Sequence, residues 1–167
     1  DPDGEFIIVD PAVRMREDME ALATAVERHR GELKAILFTH SHGDHLADMS
    51  LLREAFDVPV WGSDYTAKSV PCQRVLSDGE TLALGRQTWT VLITPGHHPG
   101  HICLFSEAGL VAGDMLAGIG TILIPPHTGD MNEYLHQLER LKALKPHLVF
   151  PSHGPVVAIP DRLIDHY

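Results

Sequence analysis

Four side chains able to bind a metal ion fall within six residues, His40-Ser41-His42-Gly43-Asp44-His45. His40 and His42 are two apart at the end of an apolar run. On extended backbone such alternate side chains share a face, so both imidazoles can grip one ion. Gly43 lets the chain turn, and the adjacent Asp44 and His45 point apart and can serve a second ion beyond that turn. Three more residues of this kind stand where other apolar runs stop in tight turns: His97 after Thr94-Pro95-Gly96, Asp114 after Gly113, and His153 between Pro151-Ser152 and Gly154. Ligands gather at the carboxyl ends of strands in α/β sheets. Four such ends, each delivering a metal-competent residue, argue against scattered surface histidines.

Imidazole nitrogens mixed with carboxylates suit zinc, and the same donors can hold manganese or iron. Two close zinc ions would lower the pKa of a shared water to roughly 7 and polarise a scissile carbonyl or phosphoryl oxygen, so the reaction needs no serine or cysteine nucleophile. Asp44, from its place in the cluster, is the side chain expected to orient that hydroxide in a limited general-base role.

The elements that must position these residues alternate between strand and helix. Residues 6–9 form an apolar run closed by Asp10-Pro11, a strand then a turn. Met19, Leu22 and Val26 follow at helical spacing in a charged stretch that stops at Gly31. Residues 35–38 read as an inner strand leading into the histidine cluster, residues 45–56 as a helix and 58–61 as a strand. Trp89, Val91 and Ile93 alternate with Thr88, Thr90 and Leu92 up to Pro95-Gly96. Residues 102–105 and 110–112 pair as a hairpin, and residues 148–150 form a last strand. Asp130 is expected to cap a helix, with Glu133 closing a capping box and Tyr134, Leu138 and Leu141 as its apolar stripe. The pattern predicts a layered α/β arrangement with mixed sheets.

Composition narrows the partners. The 167 residues, 44% hydrophobic, are enough for one substantial core and are expected to form one domain over residues 1–167. A formal charge of -10 disfavours nucleic acid without excluding it, and points to a small-molecule substrate. No apolar run approaches the about 18 residues that span a bilayer, and the start is unlike a secretion signal, so a soluble, cytoplasmic protein is expected. Cys72 and Cys103 are read as buried thiols.

His-x-His-x-Asp-His, Thr-Pro-Gly-His, Gly-Asp and a late Ser-His-Gly, in that order, resemble the motif set of the metallo-β-lactamase superfamily, from about residue 6 to residue 155. Within it, Asp130-Met131, the Leu135 to Leu141 stretch and Phe150-Pro151-Ser152-His153-Gly154-Pro155-Val156 are similar to lactamase-beta-like proteins and their bacterial relatives, some of them endoribonucleases. The resemblance implies an αββα sandwich. It also implies a first metal on His40, His42 and His97, a second on Asp44, His45 and His153, Asp114 bridging them, and Asp10 orienting the cluster. Two departures stand out. The superfamily usually opens with strands ahead of residue 6, so part of the first sheet is expected to be missing, leaving an edge that favours pairing into a homo-oligomer. The usual Asp-Pro-Gly or Asp-Thr-Gly is Asp10-Pro11-Ala12.

Several histidines lie outside this set. His98, where the superfamily often has threonine, and His101 are read as supporting groups rather than ligands. His127 is read as a solvated loop residue, with substrate contact as the alternative, and His29, His136, His147 and His166 as surface residues. Asp10 has two readings, a cap on the turn before Pro11 or a brace for the cluster. The resemblance leaves three function classes: hydrolysis of a thioester, lactone, lactam or phosphodiester; a mononuclear-iron persulfide dioxygenase; or an inactive metal-binding fragment. Di-iron oxygen reductases carry glutamate where His42 stands, which argues against that relative. Asp114 and His153 are too close in sequence to enclose the extra domain of long nuclease members.

Overall fold

The computed structural model of the chain describes residues 4–158, 160–165 and 167. Two sheets carry the fold. Strands β1 (Glu5–Val9), β2 (Glu32–Leu37), β3 (Val60–Gly62) and β4 (Arg74–Val75) lie side by side in that order, all parallel. The second sheet runs β5 (Thr81–Leu84), β6 (Gln87–Ile93), β7 (Ile102–Ser106), β8 (Gly109–Gly113) and β9 (Val149–Pro151), antiparallel except for the parallel β8–β9 pair. The hairpin expected from residues 102–112 is the β7–β8 pair.

Period-two alternation explains the layering, because a strand buried on both faces sends successive side chains into different cores. Ala35 and Leu37 of β2 meet Val91, Ile102 and Leu104 of the second sheet in the central core. Ile36 and Phe38 face the other way, against Met19 of α1 (Arg16–Arg28) and Leu52 of α2 (Met49–Ala55). In the second sheet, Leu92, Cys103, Leu110 and Ala112 turn outward onto Tyr134, Leu138 and Leu141 of α3 (Met131–Ala143) and Ile164 of α4 (Pro160–Ile164). The result is the four-layered αββα sandwich with mixed sheets that the sequence predicts.

Three local expectations change. The helix after the histidine cluster begins at Met49, not His45, because His45 closes a turn on His42 and the backbone after it is tied to the 12–13 segment: Ala12 N–H donates to the His45 carbonyl and Asp48 N–H to that of Val13. Asp48 then caps α2 by accepting from the Ser50 and Leu51 amides. At α3, Asp130 caps as expected, accepting from Asn132 and Glu133, but Glu133 does not close a box. The Asp130 N–H is already used by the Gly96 carbonyl, and Glu133 accepts from Gln137 instead. Of the two free cysteines only Cys103 is fully buried, and Cys72 is half-buried. Asp1-Pro2-Asp3 and His166 lie outside the described residues. No helix among the described residues is long and apolar enough to cross a membrane.

Candidate metal centre

The carboxyl ends of β1, β2, β6, β8 and β9 open toward one place. They deliver Asp10, His40, His97, Asp114 and His153. The ends are locked to one another: Ile102 N–H donates to the Thr39 carbonyl and Ser152 N–H to that of Gly113. Asp10 leaves β1 at φ 46 and Ala12 sits at φ 54, a left-handed turn that swings the Asp10 side chain back over β2.

His40, His42 and His97 form the first group. His40 Nε2 and His42 Nδ1 are 3.0 Å apart, His42 Nδ1 and His97 Nε2 2.9 Å, and His97 Nε2 and His40 Nε2 3.2 Å. Three nitrogens at about 2.0 Å from one tetrahedral ion would be about 3.3 Å apart, so the triangle nearly has the size of a zinc tripod. The outer nitrogens fix which lone pairs face inward. His97 Nδ1 lies 2.6 Å from the Leu123 carbonyl, which can only accept, so Nδ1 carries the proton and Nε2 is bare. Thr39 Oγ1 donates to Asp10 Oδ2 at 2.6 Å and accepts from His40 Nδ1 at 3.0 Å, which leaves His40 Nε2 bare as well. Two bare nitrogens this close call for a cation between them.

The second group is His45, Asp44 and His153. His45 Nδ1 donates to Asp10 Oδ2 at 2.9 Å, so its Nε2 faces Asp114 Oδ2 at 3.3 Å and Asp44 Oδ2 at 3.7 Å. His153 Nε2 lies 3.6 Å from Asp44 Oδ2 and 3.5 Å from Asp114 Oδ1. Asp114 stands between the groups, its Oδ2 also 3.4 Å from His97 Nε2. Among the described residues, His45 Nε2 and Asp114 Oδ1 are buried polar atoms with no hydrogen-bond partner. An unpaired ring nitrogen and an unpaired carboxylate oxygen turned to one spot fit a bound cation. The donor sets of both groups could therefore each hold an ion.

The electrostatics divide the same way. Burial and the neighbouring rings push the pKa values of His40 and His42 down, keeping them neutral as ligands must be. Burial also opposes charge on His45, but the Asp10 and Asp114 carboxylates outweigh it and lift its pKa to about 10. Asp114, although burial opposes its ionisation, is held below the usual carboxylate range by His45, His97 and His153. The second group is thus a place where positive charge collects.

All seven sequence-nominated ligands meet here, and Asp10 resolves as a brace. Its Oδ1 accepts from Thr39 N–H at 2.7 Å, and its Oδ2 serves Thr39 and His45. His101, fully buried, accepts the Asp114 N–H on Nε2 at 2.9 Å and bonds Thr94 Oγ1 through Nδ1 at 2.8 Å; burial lowers its pKa to about 3. His98 is buried too, its pKa lowered to about 4, and bonds Ser41. His127, His29, His136 and His147 are exposed. Sequence reasoning gave no role to Thr39, Ser41 or Thr94; the first two stand next to nominated ligands, and Thr94 opens the Thr-Pro-Gly-His motif. It also missed the Leu123 carbonyl, since a backbone atom leaves no mark in sequence. A cavity of about 430 Å³ opens over both groups, lined by His42, Asp44, His97 and His153 and by Ile122, Leu123 and Pro125.

An αββα sandwich that collects histidines and aspartates at its strand ends defines a class of metal-site proteins. Residues 1–153 match the Metallo-beta-lactamase superfamily. The chain belongs to that superfamily.

Among its relatives, a hydroxyacylglutathione hydrolase of Yersinia pestis is 38% identical over 120 residues, covering 70% of this chain and 45% of the relative. The chain thus spans under half the length of that relative. Among solved structures, ETHE1 from Myxococcus xanthus superposes with a TM-score of 0.79 at 25% identity, over 93% of this chain and 70% of that one. TTHA1623, solved in a di-iron-bound form, gives a TM-score of 0.73 at 28% identity, over 91% and 83%.

Proposed function

We propose that the chain is a hydrolase using two zinc ions, the first on His40, His42 and His97, the second on Asp44, His45 and His153, with Asp114 between them. The observation that carries this reading is the pair of unpartnered buried atoms, His45 Nε2 and Asp114 Oδ1, beside the three-nitrogen triangle. The di-iron form of TTHA1623 supports a two-metal site and keeps iron as the alternative occupant. Among ester-type bonds we favour the thioester, on the strength of the hydroxyacylglutathione hydrolase relatives.

When bound, the ions would supply an ionised water near neutral pH and polarise the scissile carbonyl. The chain's own residues do the rest. Asp44, exposed toward the cavity, accepts a hydrogen bond from the attacking water and orients it. Asp10, the Leu123 carbonyl and His101 hold His45, His97 and Asp114 in place, and the apolar layer beneath excludes water. Residues 1–167 would serve this chemistry as one unit. The edge of β1, which among the described residues pairs only with β2, is where a second copy would join.

Metal counting on purified protein, coupled to a panel of thioester, lactone, β-lactam and phosphodiester substrates, tests the reading. About two zinc ions per chain with thioester turnover is the expected result. One iron per chain with oxygen uptake would overturn it in favour of a mononuclear dioxygenase.

A further inference from the structure

We propose that His98 is a positioning residue for the first metal group, tying together the two loops that carry its three histidines. The inference rests on the reading that His40, His42 and His97 hold an ion.

His97 and His98 are neighbours whose rings diverge: His97 enters the nitrogen triangle, and His98 reaches across to Ser41, the residue between His40 and His42. The Gly100 N–H donates to His98 Nδ1 at 3.1 Å. In the neutral ring the proton is therefore on Nε2, which lies 3.0 Å from Ser41 Oγ and donates to it. One hydrogen bond thus joins the 40–42 loop to the 97–100 loop, within one residue of all three metal-facing nitrogens. The ring also stands edge-on to His42, centroids 5.0 Å apart at 80°, which limits rotation of the one histidine in the group that presents Nδ1. It also meets Tyr65 edge-on at 5.1 Å and 90°.

The loop that carries His98 is itself seated. Ser63 Oγ donates to the Gly100 carbonyl at 2.7 Å, and a Cβ at Gly100 would come within 2.4 Å of Ser63 Oγ and Tyr65 Cβ, so only glycine lets the loop approach. A threonine at position 98 carries its hydroxyl one bond from Cβ and stops short of Ser41. Histidine there is a long donor on a fixed base.

The test is zinc affinity, read by chelator competition on the whole chain. It is run in wild type and in an Asp44→Ala background that keeps only the first-group ion. His98→Thr and Ser41→Ala should each weaken that ion by about ten-fold or more, the scale of losing a group that orients a ligand. The double variant should lose little beyond either single one, because both remove the same bond. His98→Gln, whose amide still reaches Ser41 as a donor, should recover most of the affinity. Melting of the metal-free variants separates positioning from folding. Unchanged zinc affinity in His98→Thr would overturn the proposal, as would loss of affinity that follows the metal-free melting temperature and is not rescued by glutamine. Absence of zinc from wild type would instead overturn the site assignment, and this inference with it.

Discussion

Asp10 Oδ2 lies 2.9 Å from His45 Nδ1, and the same carboxylate accepts the backbone N–H and the hydroxyl of Thr39. One aspartate thereby orients rings of both groups, His45 directly and His40 through Thr39. Asp10→Ala should lower affinity for the second ion by about 10–100-fold. It should also destabilise the metal-free chain by about 1–3 kcal/mol, because the Thr39 N–H is left without an acceptor. Chelator competition and denaturant unfolding read the two effects, and wild-type values in both would show that Asp10 does no more than cap its turn.

The two ions should leave in order. His40 and His97 are buried, whereas the side chains of Asp44 and His153 are 62% and 46% exposed. Chelator added in steps should strip the second group first, and Asp44→Ala should bind one zinc ion while melting, metal-free, within about 2 °C of wild type, as expected of an exposed surface change. Simultaneous release of both ions would contradict this.

Without metal, stability should peak near neutral pH. The depressed His98 and His101, like His40 and His42, stay neutral in the native chain, so the unfolded chain binds extra protons below about pH 6.5 and stability falls toward acid. His45, raised to about 10, does the reverse: between about pH 6.5 and 10 the native chain keeps a proton that the unfolded one has lost, and stability falls toward alkali. Zinc should flatten the alkaline arm by replacing that proton. Melting curves across pH, with and without zinc, measure both arms; a flat alkaline arm in the metal-free protein would mean that His45 is not charged there.

Ala12 occupies φ 54, a conformation that costs a residue with a Cβ about 1–2 kcal/mol. Ala12→Gly removes that strain but adds about 0.4–1 kcal/mol of unfolded-chain entropy. The melting temperature should rise by about 1–3 °C. A fall would show that the Ala12 methyl group makes contacts that outweigh the strain.

Loss of the His101 ring should also be felt through Asp114. His101→Ala leaves the Asp114 N–H buried without an acceptor and opens a void where the fully buried ring stood. The expected loss is about 2–4 kcal/mol by denaturant unfolding, and less than 1 kcal/mol would mean that the strand end rebuilds around the gap.

The candidate ligands were legible in sequence because they combine rare residue types with strand-end turns, and turns are local. His40 and His42 declare a shared face by spacing alone. The layers were legible because the second half of β2 and all but the ends of β7 and β8 are apolar on both faces, which only a strand sandwiched between two cores requires. What sequence hid is longer in range. The start of α2 depends on residues 12–13 seizing the backbone of residues 45–48. Glu133 completes a capping-box pattern, yet the Gly96 carbonyl takes the Asp130 N–H first. Asp10 kept two readings until the turn placed it over Thr39 and His45.

The Leu123 carbonyl that receives the His97 proton belongs to the segment walling the cavity. The surface that would touch a substrate and the scaffold that orients the His97 ring are one stretch of chain. Exchanging residues 121–125 to change substrate preference is therefore expected to disturb His97 as well, so on the proposed two-metal reading new specificity has to be selected together with metal retention.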